Sequence, residues 1–269
     1  MALNLSQAHL SWTLSALTLQ RMIRRKSTWL LGLVGLMPCG LLIYWIFARV
    51  LDLNPGLMPF KMYQSIVSLY FANFYVPLLS IFLGLGVISD EIETQNITFT
   101  LVRPLSRFSI AFGRFTGHFL CGSVVIGISL LGNYLANMIF QVEDFIELFP
   151  FLLNSVFVMW FGFAAYLGIV AALGSFWKRF AILASMFWLI FDNLFSRVPV
   201  DLMRDVSVAF RMLSSFPSGL PSFWFTGGAI EYGSMTFNAL VCFFYAALCV
   251  ALMTWRLKAF EIVLGSGSK

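Results

Sequence analysis

The chain has 269 residues, of which 60% are hydrophobic and 11% charged, against about 25% charged in an ordinary soluble domain. Thirty phenylalanines and a mean hydropathy of +0.88 exclude a soluble fold, which could not bury so much apolar surface at this length. The net charge of +5 comes without the clustered basic face of a nucleic-acid binder, so the composition defines an all-α polytopic membrane protein.

The first 28 residues contain no short apolar core followed by small residues, so no cleavable signal is expected. From Leu10 to Lys26 the periodicity predicts a helix. Trp12, Ala16, Leu19 and Ile23 form one stripe, with Arg21 and Arg25 opposite. Leu10, Leu14 and Leu17 share the basic side. Residues 1–28 are expected to lie along the cytoplasmic membrane surface.

Residues 29–260 form a single transmembrane domain with six expected spans: 29–48, 66–88, 108–140, 149–173, 180–198 and 237–255. Arg24, Arg25 and Lys26 precede the first span, and Trp29 and Trp45 sit near its ends as interface anchors. Asn73 and Pro77 interrupt the second. Gly113 and Gly117 on the third allow another helix to approach closely. Between spans five and six, residues 201–213 read as one outer amphipathic helix, with Leu202, Val206, Ala209 and Leu213 on a face and Arg204 and Arg211 opposite. A partly re-entrant segment follows, and residues 265–269 read as an expression remnant. With both ends inside, 12 basic residues lie inside against 5 outside, which gives N-in, C-in topology.

Cys39, Cys121, Cys242 and Cys249 all fall in apolar runs, which argues against a disulfide framework or a zinc site. The two histidines, His9 and His118, are not in a metalloprotease pattern. No nucleophile elbow and no phosphate-cradling Gly-x-x-x-x-Gly-Lys loop occurs, so catalysis by this chain alone is not expected. A metal site is not expected either.

The longest polar interruption in the first half is residues 90–107. Asp90 and Glu93 read as a helix start, and Pro104 disfavours helix at Arg103, which gives a short helix over 91–102. Ser106 then reads as the cap of the third span. Glu91, Glu93, Arg103 and Arg107 suit either a solvated cap or a docking surface.

The run Ile88-Ser89-Asp90-Glu91, then Thr98-Phe99-Thr100-Leu101, then Arg103-Pro104-Leu105-Ser106-Arg107 resembles the type-2 (ABC-2) family of ABC transporter permeases. That family has Gly-Thr where this chain has Asn96-Ile97-Thr98. The resemblance implies a homodimeric exporter subunit in the bacterial inner membrane, paired with separate ATPase subunits that carry the ATP and Mg2+. It leaves room for an accessory periplasmic protein. The 91–102 helix would be the coupling helix, with Glu91, Glu93, Thr94, Phe99, Leu101, Arg103, Pro104 and Arg107 at the ATPase contact. Gly117-His118 and Phe191-Asp192 are also similar to permeases of copper-site and nitrous-oxide-reductase maturation clusters.

Asp192 is the most expensive residue in the chain, since a charge at mid-membrane costs about 2.5–3.5 kcal/mol on insertion scales. It either lines a path with Asn193, in contact with a cation or polar substrate, or pairs with Arg197 at a span end. Asn73, Phe71 and Phe74 join the path by the family resemblance, while Asn133 and Asn137 read as interhelical hydrogen-bonding groups. The alternative function is a stand-alone channel or secondary carrier with Asp192 as ion site. The halves show none of the repeat symmetry such a carrier needs.

Overall fold

The computed structural model describes residues 2–51, 63–93, 106–138, 145–177, 180–198, 200–216 and 234–266. Among these no strand occurs. The elements are α1 (Ala2–Arg24), α2 (Lys26–Val50), a π-helix π1 (Ile66–Tyr75), α3 (Val76–Glu93), α4 (Arg107–Met138), α5 (Phe145–Phe176), α6 (Ala181–Phe195), α7 (Asp201–Val206), α8 (Val208–Leu213) and α9 (Met235–Ser266).

Among the described residues, five helical stretches are long and apolar enough to cross a membrane. They are α2, the continuous π1–α3 run, α4, α5 and α9. The expected fifth span is shorter than the sequence suggests. Helix α6 has 15 residues, about 22 Å of rise, against a hydrocarbon core of about 30 Å.

The most enclosed helix is α5, which packs against α9, α3, α4 and α6. Val158, Phe161, Phe163, Ala165, Tyr166, Leu167 and Val170 on it are fully buried. Helix α6 sits at the edge, burying only the stripe Ala181, Ser185, Leu189 and Asp192.

The second span is not one α-helix. Its first ten residues form π1, where the Val76 N–H bonds to the Phe71 carbonyl, five residues back. The Asn73 amide also donates across five residues, to the Ser68 carbonyl at 2.6 Å. Pro77 supplies the reason: it lacks an N–H and its ring crowds the carbonyl of Asn73, so the wider turn ends where the proline begins.

A second proline is answered by another helix. Pro38, inside α2, leaves the Val34 carbonyl without its helical donor. The Tyr70 hydroxyl of π1 donates to that carbonyl at 2.5 Å. Beside it, Tyr75 donates to the Leu31 carbonyl at 3.1 Å, and Asn133 of α4 donates to the Gly35 carbonyl at 3.1 Å. Gly35 must lack a side chain, because a β-carbon there would collide with the Tyr75 phenol and the Ser129 hydroxyl.

Helix α1 packs on the first half of α4. A β-carbon on Gly113 would lie 2.8 Å from the Ser11 carbonyl oxygen, and one on Gly117 would lie 2.7 Å from Thr18 Cβ. Ser15 closes the contact by donating to the Gly113 carbonyl at 2.8 Å. Ser11, Ser15 and Thr18 carry this contact with Leu14 beside them, while Trp12 and Ile23 at the ends of the apolar stripe are exposed.

Tyr70→Phe is expected to cost about 1 kcal/mol, the scale of an interhelical hydrogen bond in a membrane, and to lower the thermal midpoint in detergent. Pro38→Ala returns an N–H to the Val34 carbonyl, so the same Tyr70→Phe change should cost less in that background. A double-mutant cycle on thermal midpoints measures the difference.

Candidate functional site

Two regions carry the residues singled out from sequence. The first is the bundle end where α3 stops and α4 starts. Asp90 does not begin a new helix: α3 continues through Glu91 to Glu93. Nothing in Ile88-Ser89-Asp90 breaks the ladder, so no cap is needed there and the expected start of a separate helix at residue 91 is corrected. Thr94, Phe99, Leu101, Arg103 and Pro104 lie outside the described residues. Ser106 caps α4, accepting the Ser109 N–H at 3.1 Å, and Arg107 is the first residue of that helix. His118, buried where α4 meets α1, sits 2.9 Å from the Arg114 carbonyl through Nδ1.

The second region is built around Asp192, and the sequence offered no hint of its partners. Its side chain is 2% exposed. Oδ1 accepts the Val208 N–H at 2.9 Å, and Oδ2 accepts the Ala209 N–H at 3.0 Å. Tyr166 of α5 donates its hydroxyl to Oδ2 at 2.5 Å. Ser207 donates to the Asp192 carbonyl at 3.1 Å and, through the same oxygen, accepts the Phe210 N–H at 3.2 Å. The first three amides of α8 are therefore all satisfied by two side chains, one local and one from α6.

This arrangement changes the reading of both Asp192 and the outer helix. Sequence weighed a path-lining acid against a partner for Arg197; the structure instead makes Asp192 a tertiary cap that ties α5, α6 and α8 together. The single amphipathic helix over 201–213 is broken at Ser207, whose backbone is extended (φ −72, ψ 127). The break separates the expected face. Leu202 and Val206 are exposed, whereas Val208, Ala209 and Met212 are buried against α5 and π1. The Ser-x-x pattern at Ser207 was the available signal for a helix start, and the longer apolar periodicity masked it.

On the far side, Arg211 and Asn238 fasten α8 to α9. Arg211 donates to Asn238 Oδ1 at 3.1 Å, pairs with Asp205 at 3.0 Å, and lies 5.2 Å from the Phe237 ring centre. Asn238 donates in turn to the Ser214 and Ser215 hydroxyls at 3.1 and 3.0 Å.

The other expected path residues do not converge on Asp192. Phe71 is fully buried against Tyr70 and Tyr75, with ring centres 5.5 and 5.2 Å away, so it is packing. Asn73 is spent inside π1. Asn193 donates to the Leu189 carbonyl of its own helix at 3.2 Å, and its Oδ1 has no partner. Phe74 is 51% exposed and faces out of the bundle. Asn133 bridges to α2 as described, whereas buried Asn137 has neither amide atom partnered. No group of three or more His, Cys, Asp or Glu side chains able to hold a metal occurs among the described residues.

The fold defines a multi-pass helical membrane protein, in which Tyr70, Asn133, Asp192 and Asn238 among the described residues brace one helix against another. The chain belongs to the ABC-2 family of transporter proteins, whose family model, described as ABC-2 family transporter protein, matches residues 21–192. No curated protein matched the chain.

Asp192→Ala is expected to strip two buried amides of their acceptor and destabilise the fold by about 3 kcal/mol, at 1–3 kcal/mol for each unsatisfied group. Asp192→Asn keeps one acceptor oxygen and should cost less. Thermal midpoints in detergent measure the ranking, and faster amide hydrogen exchange confined to 207–213 identifies the loss of the cap.

Proposed function

We propose that the chain is the membrane subunit of an ATP-driven exporter in a bacterial inner membrane. It works as a homodimer with two separate ATPase subunits that bind ATP and Mg2+. The observation that carries this reading is the family match across 21–192, a span that includes both helices flanking residues 94–105. Members of this family normally act with ATPase subunits.

In this reading the topology is N-in, C-in with six crossings. Helix α6 is the fifth crossing, and the buried α8 fills the outer depth that 15 residues leave short. Non-helical backbone at Ser207 is tolerated there because protein surrounds it. The coupling segment runs from Glu91 to Arg107 on the cytoplasmic side, with Glu91, Glu93, Thr94, Phe99, Leu101, Arg103, Pro104 and Arg107 at the ATPase contact.

Two features support a mechanical role for that segment. Both neighbours are long helices in contact with each other, so force applied to residues 94–105 would reach α3 and α4 along their whole length. Beyond α3, the π1 turn is a place where the second span could change register without losing packing, since π-bulges recur at functional positions. Asn193 and Phe74 would then line a cavity on the dimer axis, while Asp192 positions α6 and α8 rather than reading the substrate.

Glu91→Ala combined with Arg103→Ala should at least halve the ATPase recovered with the affinity-purified permease. The thermal midpoint of the permease should stay unchanged. Full recovery would overturn the docking assignment.

A further inference from the structure

Helix α1 meets α4 chiefly through one face. Ser11, Ser15, Thr18 and Met22 close on α4. On the apolar stripe, Leu19 is partly buried against the core, while Trp12, Ala16 and Ile23 are left exposed, Trp12 65% and Ile23 49%. Arg24 lies beyond the stripe's other side, with Arg21 further round the helix and Lys26 across the helix junction. All three are exposed, with no hydrogen bond or ion pair among the described residues.

The junction itself is fixed. Thr28 donates to the Met22 carbonyl at 2.7 Å and Trp29 donates its indole N–H to the Ile23 carbonyl at 2.9 Å, so two of the last carbonyls of α1 are capped by side chains of α2. The Trp29 ring, 68% exposed, is held beside the cationic edge. Three unpaired cations, a largely exposed apolar stripe and an oriented indole thus share one end of the bundle.

We propose that Arg21, Arg24 and Lys26 form a binding site for the phosphate headgroup of an anionic phospholipid, with the Trp12–Ile23 stripe entering the acyl boundary below it. Charge complementarity selects the anionic headgroup. The stripe selects a bilayer lipid over free phosphate, because a soluble anion would leave the apolar face in water. Bound lipid presses α1 onto Gly113 and Gly117, near the start of α4, so lipid composition bears on the same end of α4 that carries Arg107. Only the assignment to the cytoplasmic leaflet rests on the orientation proposed above.

The test is native mass spectrometry of the full chain in mild detergent, with phosphatidylglycerol and phosphatidylcholine supplied at equal concentration. Wild-type protein should retain phosphatidylglycerol preferentially, and the preference should fall about fivefold for each cation removed in R21Q, R24Q and K26Q. The charge-preserving triple R21K/R24K/K26R should keep it, and inorganic phosphate should not displace the lipid. Equal retention of the two lipids, an unchanged preference in the triple glutamine variant, or displacement by inorganic phosphate would each overturn the site. Lost ATPase recovery in the triple glutamine variant with lipid retention intact would assign the edge to a protein partner instead. The lipid readout involves no ATPase, so it stands apart from the test of function.

Discussion

A backbone amide or carbonyl inside hydrocarbon has no water to turn to, and each one left open costs several kcal/mol. Among the described residues, three departures from α-helix are met by side chains. The Val34 carbonyl orphaned by Pro38 receives the Tyr70 hydroxyl, and the wide turn before Pro77 is closed by the Asn73 amide. The break at Ser207 is closed by Asp192. Two of these repairs come from a different helix. The groups that make irregular backbone tolerable are therefore also those that fix how the helices stand against one another.

The polar residues buried in this bundle divide along that line. Tyr70, Tyr75, Asn133, Asp192 and Asn238 join helices, and Tyr70 and Asp192 aim at groups that the local fold has left short of a partner. Asn137 and the Asn193 carbonyl oxygen stand apart, being buried or half-buried with no bond to brace.

The family and the helical membrane fold were legible in the sequence because hydrophobic runs and the Arg103–Arg107 turn are local signals. Gly113 and Gly117 marked a close approach, yet the partner is α1, more than 90 residues earlier, and no spacing rule names it. Asp192 stood out by its cost, but its partners lie 16, 17 and 26 residues away. Only the folded chain brings them together. The outer helix was misread because a 3.6-residue period ran through Ser207 and outweighed the single capping signal there. The π-helix left one trace, Pro77, which a sequence reader takes as a kink.

In the six-crossing topology proposed above, the cap on α8 also bears on how α6 is held in the bilayer. A lone carboxylate in a 15-residue apolar helix resists entry into lipid. Its donors come from Tyr166 on the long helix before it and from the Val208 and Ala209 amides after it. Helix α6 is therefore seated by what stands on both sides of it in the chain, and a chain cut between residues 195 and 208 would leave the carboxylate with Tyr166 alone.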